Sequence, residues 1–538
     1  MSMRPPITDL NIQTADSGFY QGFSKFVAIG SKICIGALIL WAVAFPENAG
    51  AVLKGIRATI DANTGAWYMY VMTFYIVVCL VLALYPATGK IRLGGADSKP
   101  EFSSFSWFSM MFGAGIGIGM LTYATGEPIY HFGTNPDVIQ GNATASSADN
   151  VRAAMKWSFL HWGFSAWGCY AIVGLALAFF SYSRGLPLTI RSGLTPLLGR
   201  SLEGPLGHVV DIVSVIATIL GVSVTLGYGV SQFAAGIYNI TGMDWIMNAE
   251  GNPTNISMLV CLIIVMFFST MSALSGVGKG IKWLSNINMG LSFFILAFLL
   301  VFGSTMFALS SLFLGIWDYI INLPMMTMTV WNADADPESV ASKLAGWQGG
   351  WTIFYWAWWI AFAPFVGLFL ARISKGRTIR EYVLGAMIVP SVMCFVWFAF
   401  VGGTAIDLTL NGGAGDDRFE INGTGNGRDT IQGGNGFDSI VGSSGADVIS
   451  LTNFAASDSV EVIDGDTGIN MIIGDYRNQT FDFSSTTLIN INAINGGGGH
   501  DILIGSSGDD VFISGNGNDL MQGGAGDDSF NIMGSGNG

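Results

Sequence analysis

WTIFYWAWWIAFAPFVGLFLARI, from Trp351 to Ile373, decides how this chain is read. It is long enough to cross a bilayer, which needs about 20 mostly apolar residues. It carries four tryptophans and no acidic residue. A span that only had to dissolve in lipid would be built mainly from Leu, Ile and Val. Here Trp356, Trp358 and Trp359 stand in the middle, whereas aromatic belts gather at span ends. Indole faces at mid-membrane suit a cation that sheds water cheaply, such as a quaternary ammonium.

Working outward, nine such runs are predicted, at about 27–46, 66–86, 105–126, 156–180, 208–234, 256–274, 287–314, 351–373 and 381–403. The 538 residues are 51% hydrophobic and 11% charged, the balance of an α-helical polytopic membrane protein. Basic residues follow the even-numbered spans, including Lys90 and Arg92, Arg184 and Arg191, Lys279 and Lys282, and Arg372 and Lys375. That places the polar tail 1–26 in the cytoplasm and everything after the ninth span outside. The loop with Lys54 and Arg57 is the exception. Residues 315–333, interrupted by Asp318, Asn322 and Pro324, read as an amphipathic helix in the outer interface. The five cysteines all fall in apolar runs without CxxC spacing, which argues against disulfides or zinc. His131, His161, His208 and His500 show no ligand spacing, and paired carboxylates are lacking from the spans, so no enzyme is expected.

The third span contains FGAGIGIGM, with glycines at 113, 115, 117 and 119. Each glycine costs about 1 kcal/mol in a soluble helix relative to alanine. Alternate spacing should therefore unwind the helix, and broken backbone at membrane depth belongs beside a cavity. On the fourth span Trp162, Trp167 and Tyr170 lie at about 0°, 140° and 80° on one helix. On the eighth, Trp358, Trp359 and Phe362 lie at about 0°, 100° and 40°. Two aromatic faces beside a loosened helix predict a site for an onium group.

These residues resemble the betaine/carnitine/choline transporter family. The resemblance rests on Arg92-Leu93-Gly94 with Pro100-Glu101-Phe102-Ser103, on the glycine run ending in Gly126-Glu127-Pro128, and on HWGFSAWGCYAIVGL at 161–175. It is strongest at 351–381 and FVGGTAI at 400–406. It implies a secondary transporter in the bacterial inner membrane, importing glycine betaine, choline, carnitine or a related solute. The implied fold is the LeuT-like inverted repeat of twelve spans, often as a homotrimer. By motif the aromatic box would be Trp162, Trp167, Tyr170 and Trp359, with Trp358 along the pathway. Phe362 stands where betaine transporters commonly carry another Trp. Backbone from Gly113 through Ala114, Gly115 and Ile116 to Gly117 would serve a Na⁺ site and the substrate carboxylate. Span five offers Thr218, Ser223 and Thr225 as Na⁺ ligands, without deciding among them. It has no Arg or Lys, which favours coupling to Na⁺ ahead of H⁺.

After Ile406 the family pattern should continue through three more spans and does not. That truncation to about nine spans predicts weak uptake or none by the chain as written. It keeps two alternatives in view: a membrane-anchored calcium-binding surface protein, and a gene-assembly chimera. Residues 407–538 repeat instead with a nine-residue period: TGNGRDTIQ, GGNGFDSIV and GSSGADVIS from 424, and GGGGHDILI, GSSGDDVFI, SGNGNDLMQ and GGAGDDSFN from 496. This resembles RTX calcium-binding repeats, implying a parallel β-roll. Ca²⁺ would be held by Asp417, Asp429, Asp438, Asp447, Asp501, Asp510, Asp519 and Asp528, with Ile440, Ile449, Leu503 and Phe512 packed inside. Residues 451–495 lack the glycine register but alternate apolar and polar, predicting further β structure. The chain stops in the opening of another repeat, as a fragment would. The acidic balance, net −14, argues against nucleic acid.

Overall fold

The computed structural model describes residues 7–115, 117–143, 145, 150–248, 251–414, 416–421, 431–451 and 453–533; Ile116 and Asp429 lie outside them. The longer helices are α1 Lys25–Ala44, α2 Pro46–Leu84, α3 Ser104–Gly115, α4 Gly117–Gly133, α5 Val151–Trp162, α6 Phe164–Ala178 and α7 Pro205–Thr241. They continue with α8 Asn255–Ser275, α9 Lys282–Phe302, α10 Thr305–Met328, α11 Val340–Gln348, α12 Phe354–Ile373, α13 Ile379–Trp397 and α14 Gly403–Leu410. Among the described residues nine helical segments are long and apolar enough to cross a membrane.

Three expectations change. Residues 47–65 are helix, not loop, because ENAGAVLKGIRATIDAN has no proline after Pro46 and pairs Arg57 with Asp61 one turn on, at 3.3 Å. The seventh span does not run 287–314: Gly303 and Ser304, a stop followed by a start signal, separate α9 from α10. α10 continues through Pro324 and is itself long and apolar enough to span. The fourth span is not one helix; Gly163, at φ −92° and ψ −138°, turns the chain between α5 and α6. The third divides into α3 and α4 at the glycine run, as its spacing predicts, with Gly117 in left-handed backbone at φ 35°.

The chain folds as two compact units, one of residues 1–124, 158–301 and 319–397, the other of 125–157, 302–318 and 398–538. In the first, α6 and α12 pack almost backbone to backbone. A Cβ on Gly367 would lie 2.6 Å from Val173 and 3.0 Å from the Gly174 nitrogen, and one on Gly174 would strike the Tyr382 hydroxyl. Two stretches far apart in sequence clasp each other below this contact. Leu93 N donates to the Arg377 carbonyl at 2.9 Å, and Gly376 N to that of Leu93 at 2.8 Å. Arg372 pairs with Glu101 at 2.8 Å, and the Arg377 guanidinium stacks 4.2 Å from Trp107.

In the second unit, Arg152 holds Asp318 through two bonds of 2.8 and 2.7 Å, and Lys156 holds Asp137 at 2.9 Å. α14 passes directly into a strand, Asn411–Ala414, so the helix extends past the expected boundary at Asp407. This strand pairs in parallel with Gln432–Asn435, and the rest of the described tail is a parallel β-solenoid of three further ladders. The first joins Arg418–Glu420, Ser439–Val441, Val462–Asp464 and Thr487–Ile489. The second joins Val448–Ser450, Met471–Ile473, Ala493–Asn495, Val511–Ile513 and Ser529–Asn531. The third joins Thr480–Asp482, Ile502–Ile504 and Leu520–Gln522. From Val462 to Ile504 the chain visits the three in turn, so the coil has three faces. From Ile502 it alternates between the second and third, and the coil flattens to two. Ile440, Ile449, Ile463, Ile472, Phe481, Leu503 and Phe512 stack in the wholly buried core. Each contributes about 1.5–3 kcal/mol by leaving water.

Overpacking a tight core costs about 1–3 kcal/mol. Gly367→Val should therefore lower the melting temperature of the detergent-purified protein. Gly346→Ala, on α11 with nothing within 4 Å of the added carbon, should leave it unchanged.

Candidate functional site

A cavity of about 510 Å³ opens in the first unit between α3, α4, the end of α5, α7, α8, α9 and α12. One wall is aromatic: Trp162, Trp358, Trp359 and Phe362. The facing wall is the glycine run, through Gly113, Gly117 and Gly119. A Cβ on Gly119 would meet the rings of Trp162 at 3.4 Å and Trp358 at 3.6 Å, ordinary contact distances that place this stretch of backbone against the indoles. Thr225, Ser269, Ser285, Asn288 and Ser292 supply polar groups to an otherwise apolar lining.

The rings form one lattice. Trp162 meets Trp359 edge to face with centroids 5.1 Å apart, and Trp359 stacks on Trp358 at 5.1 Å. The Trp359 indole N–H donates to the His161 carbonyl at 2.9 Å, which fixes that ring's rotation. His161 is buried, bonds Thr352 at 3.0 Å and stacks on Tyr355 at 4.8 Å. Such an arrangement presents π-faces, not charges. Chemically it can hold an onium group by cation–π attraction while leaving it free to depart.

The structure brings Trp162, Trp358, Trp359 and Phe362 to the cavity with Gly113 and Gly117. Trp167 and Tyr170 are buried behind it, Tyr170 with its ring 6.1 Å from that of Trp359. The turn at Gly163 is the reason: α5 and α6 do not share the face that a continuous helix would give. Trp356 is wholly buried, its ring 6.0 Å from His161. For Ala114 and Gly115 the backbone alone is described, as the end of α3. Of the three hydroxyls on α7, Thr225 lines the cavity. Thr218, Ser223 and Thr225 all donate back to their own helix, at 2.8, 2.7 and 3.3 Å, the usual fate of a helical hydroxyl. Ser223 is exposed. Sequence reasoning missed Tyr123 and Tyr355, whose rings lie 5.9 and 5.6 Å from that of Trp162. Tyr355 was legible: it stands four residues before Trp359, on the same face. Ser285 and Asn288 carry no comparable signal. His131, read as isolated, has Glu127 one turn away at 3.2 Å, both fully buried.

The tail offers a second kind of site. Asp438, Asp447 and Asp501 are wholly or almost wholly buried. In the ladder corners one carboxylate oxygen accepts a backbone N–H of the neighbouring coil: Asp438 from Asp417 at 2.8 Å, Asp519 from Asp501 at 2.9 Å, Asp528 from Asp510 at 3.0 Å. The second oxygens of Asp417, Asp438, Asp501 and Asp519 are buried with no donor. An anionic oxygen buried without a partner is costly. Burial, reinforced by Asp519 and Asp475, pushes the Asp501 carboxyl up to about 6, and burial also raises Asp510. Both features fit a hard cation such as Ca²⁺, which takes about six to eight oxygens. Asp447 and Asp510 differ, since Ser443 and Ser506 each donate to them through backbone N–H and hydroxyl.

Together these features define a polytopic membrane protein with an aromatic, onium-type cavity and a repeat tail of metal-ligand chemistry. Residues 26–428 match the BCCT, betaine/carnitine/choline family transporter profile, and the chain belongs to that family. Residues 423–453 and 495–530 match the RTX calcium-binding nonapeptide repeat. Among relatives, the glycine betaine transporter OpuD of Bacillus subtilis is 40% identical over 376 residues, 70% of each chain. A probable glycine betaine transporter of Desulfitobacterium hafniense is 40% identical over 386 residues, 72% of each. A high-affinity choline transport protein of Escherichia coli is 39% identical over 357 residues, covering 66% of this chain and 49% of that one.

The pH dependence follows from Asp501. Its folded carboxyl titrates near 6, above the unfolded value of about 3.9. Its contribution to metal-free stability is therefore full below about pH 4 and lost as pH rises through about 6. With chelator, protease resistance of residues 496–533 in the purified full chain should fall between about pH 4 and 7. With millimolar calcium it should persist at pH 7. Resistance that rises with pH in chelator would contradict the assignment.

Proposed function

We propose that the membrane part binds and carries a quaternary ammonium solute such as glycine betaine or choline. The observation that carries this reading is the cavity walled by Trp162, Trp358 and Trp359 opposite left-handed Gly117. The onium group sits against the indoles, and a carboxylate, where the solute has one, turns toward the glycine backbone of Gly113 to Gly117. Phe362, a weaker π-face than tryptophan, tunes the choice of solute. Trp167 and Tyr170 support the box from behind. Na⁺ is the coupling ion, held near Gly113 with Ala114 and Ile116. Of the hydroxyls on α7, Thr225 is the strongest candidate ligand because it shares the cavity. The names of the betaine and choline relatives support the substrate class. The chain lies in the bacterial inner membrane, with its N-terminus cytoplasmic and the calcium-binding solenoid outside. Asp417, Asp429, Asp438, Asp447, Asp501, Asp510, Asp519 and Asp528 are its ligands, and outside the cytoplasm calcium is abundant enough for sites of modest affinity.

A second reading is a membrane-anchored calcium-binding protein. It is favoured by α14 leading straight into the strand Asn411–Ala414, where the family resemblance calls for further spans.

Glycine betaine or choline added to the purified protein should produce a saturable change in tryptophan fluorescence. Trp359→Leu should weaken binding by about 30-fold, the equivalent of about 2 kcal/mol for a desolvated cation–π contact. Ser223→Ala should leave it unchanged. Absence of any binding sinks the substrate proposal. Binding without Na⁺-driven uptake in a transporter-deficient cell selects the anchor reading; saturable uptake selects the carrier, and Thr225→Val should then raise the Na⁺ concentration needed for half-maximal uptake.

A further inference from the structure

The residue just before each strand forms a column along each ladder of the solenoid, and the columns change chemistry part way. Along the second ladder they read Asp447, Asn470, Asn492, Asp510, Asp528, and along the third Gln479, Asp501, Asp519. The first goes from Asp417 and Asp438 to Glu461 and Thr486. Aspartates thus occupy both ends, while amides and a threonine predominate in the three-faced middle. The spacing changes with them. Column neighbours are 22 residues apart at Gln479 and Asp501 but 18 apart at Asp501 and Asp519.

The amides do what an aspartate does and one thing more. Asn470 accepts the Asp447 N–H at 3.0 Å, as an aspartate would, and its Nδ2 donates to the Asn490 carbonyl at 3.1 Å. Asn492 accepts from Asn470 at 2.6 Å. Gln479 accepts the Asp475 N–H and donates through Nε2 to the Leu451 carbonyl at 3.1 Å. Thr486 donates its hydroxyl to the Val460 carbonyl at 2.8 Å. Asn470 is wholly buried and Gln479 nearly so. At the buried amides, Asn470 and Gln479, the second atom of the head group is a donor bonded to a carbonyl. Where Asp417, Asp438, Asp501 or Asp519 stands, the same atom is a buried oxygen without a donor. An oxygen so placed needs a cation; an amide nitrogen does not.

We infer that the solenoid is two calcium-binding ends joined by a middle, residues 453–495, that folds without metal and against which the ends assemble when calcium arrives. The middle also carries its own apolar core, with Ile463, Ile472 and Phe481 wholly buried. The first coil of the second calcium-binding end stacks directly on it, through Leu503 against Phe481 and Ile502 against Thr480. The metal-free middle is thus a template for strand register, not a linker. The inference rests on the reading that the tail binds calcium.

Hydrogen exchange of the detergent-purified full chain, in calcium and in chelator, tests it. Peptides within 453–495 should exchange alike in both, within about twofold, while those within 496–533 exchange at least about tenfold faster in chelator. Equal loss of protection in the middle and the ends overturns the inference while leaving calcium binding intact. No response anywhere overturns both. Asn470→Asp supplies the second measurement. It replaces a bonded donor with a buried oxygen, so protection around 448–495 should fall in chelator and return with calcium. Protection that falls and is not restored by calcium counts against the equivalence of amide and metal.

Discussion

The turn at Gly163 is the constraint on which the membrane site depends. A side chain there has no room: its Cβ would lie 2.5 Å from the Phe159 carbonyl and 2.8 Å from both the Phe395 ring and the Tyr319 hydroxyl. Tyr319 holds the turn from outside by accepting the Phe164 N–H at 2.9 Å. Because the helix breaks here, Trp162 ends one segment and faces the cavity, while Trp167 and Tyr170 begin the next and enter the core. The carbonyl beside the break, that of His161, takes the indole N–H of Trp359 and fixes the opposing ring. One glycine thus sets two walls of the cage.

The two halves of the chain solve opposite versions of one problem. The cavity presents π-faces that carry no net charge, surfaces from which a cation can depart without breaking an ion pair. The solenoid stacks carboxyl groups in buried columns, so ionising them is costly unless a proton or another charge offsets them. Glycine serves both. At Gly117, φ 35°, it takes left-handed backbone beside the cavity, and at Gly515, φ 84°, it lets one coil rest on the Gly497 backbone of the preceding one.

Spans, their approximate number, the aromatic and glycine stretches and the nine-residue repeat were legible because each is a local pattern. Period, run length and spacing survive in one dimension. The inward positions Ile440, Ile449, Leu503 and Phe512 followed from the repeat alone and are wholly buried. The break at Gly163 was not legible, since an apolar count runs straight across a glycine whose role is set by neighbours elsewhere in the chain, whereas the break at Gly303 was carried by a local Gly-Ser signal.

The sequence by itself determined the class of chain, the chemistry of its cavity wall and the repeat of its tail. Tertiary structure alone decided which rings share a cavity, that the Tyr123 ring packs against that of Trp162, and that Thr225 rather than Ser223 faces inward. It also decided that residues 451–495 continue the solenoid with a third face. The reason is common to all of these. Hydropathy and period depend on a residue's own side chain, whereas facing, stacking and column chemistry depend on the residue that packing brings opposite, which lies tens to hundreds of positions away.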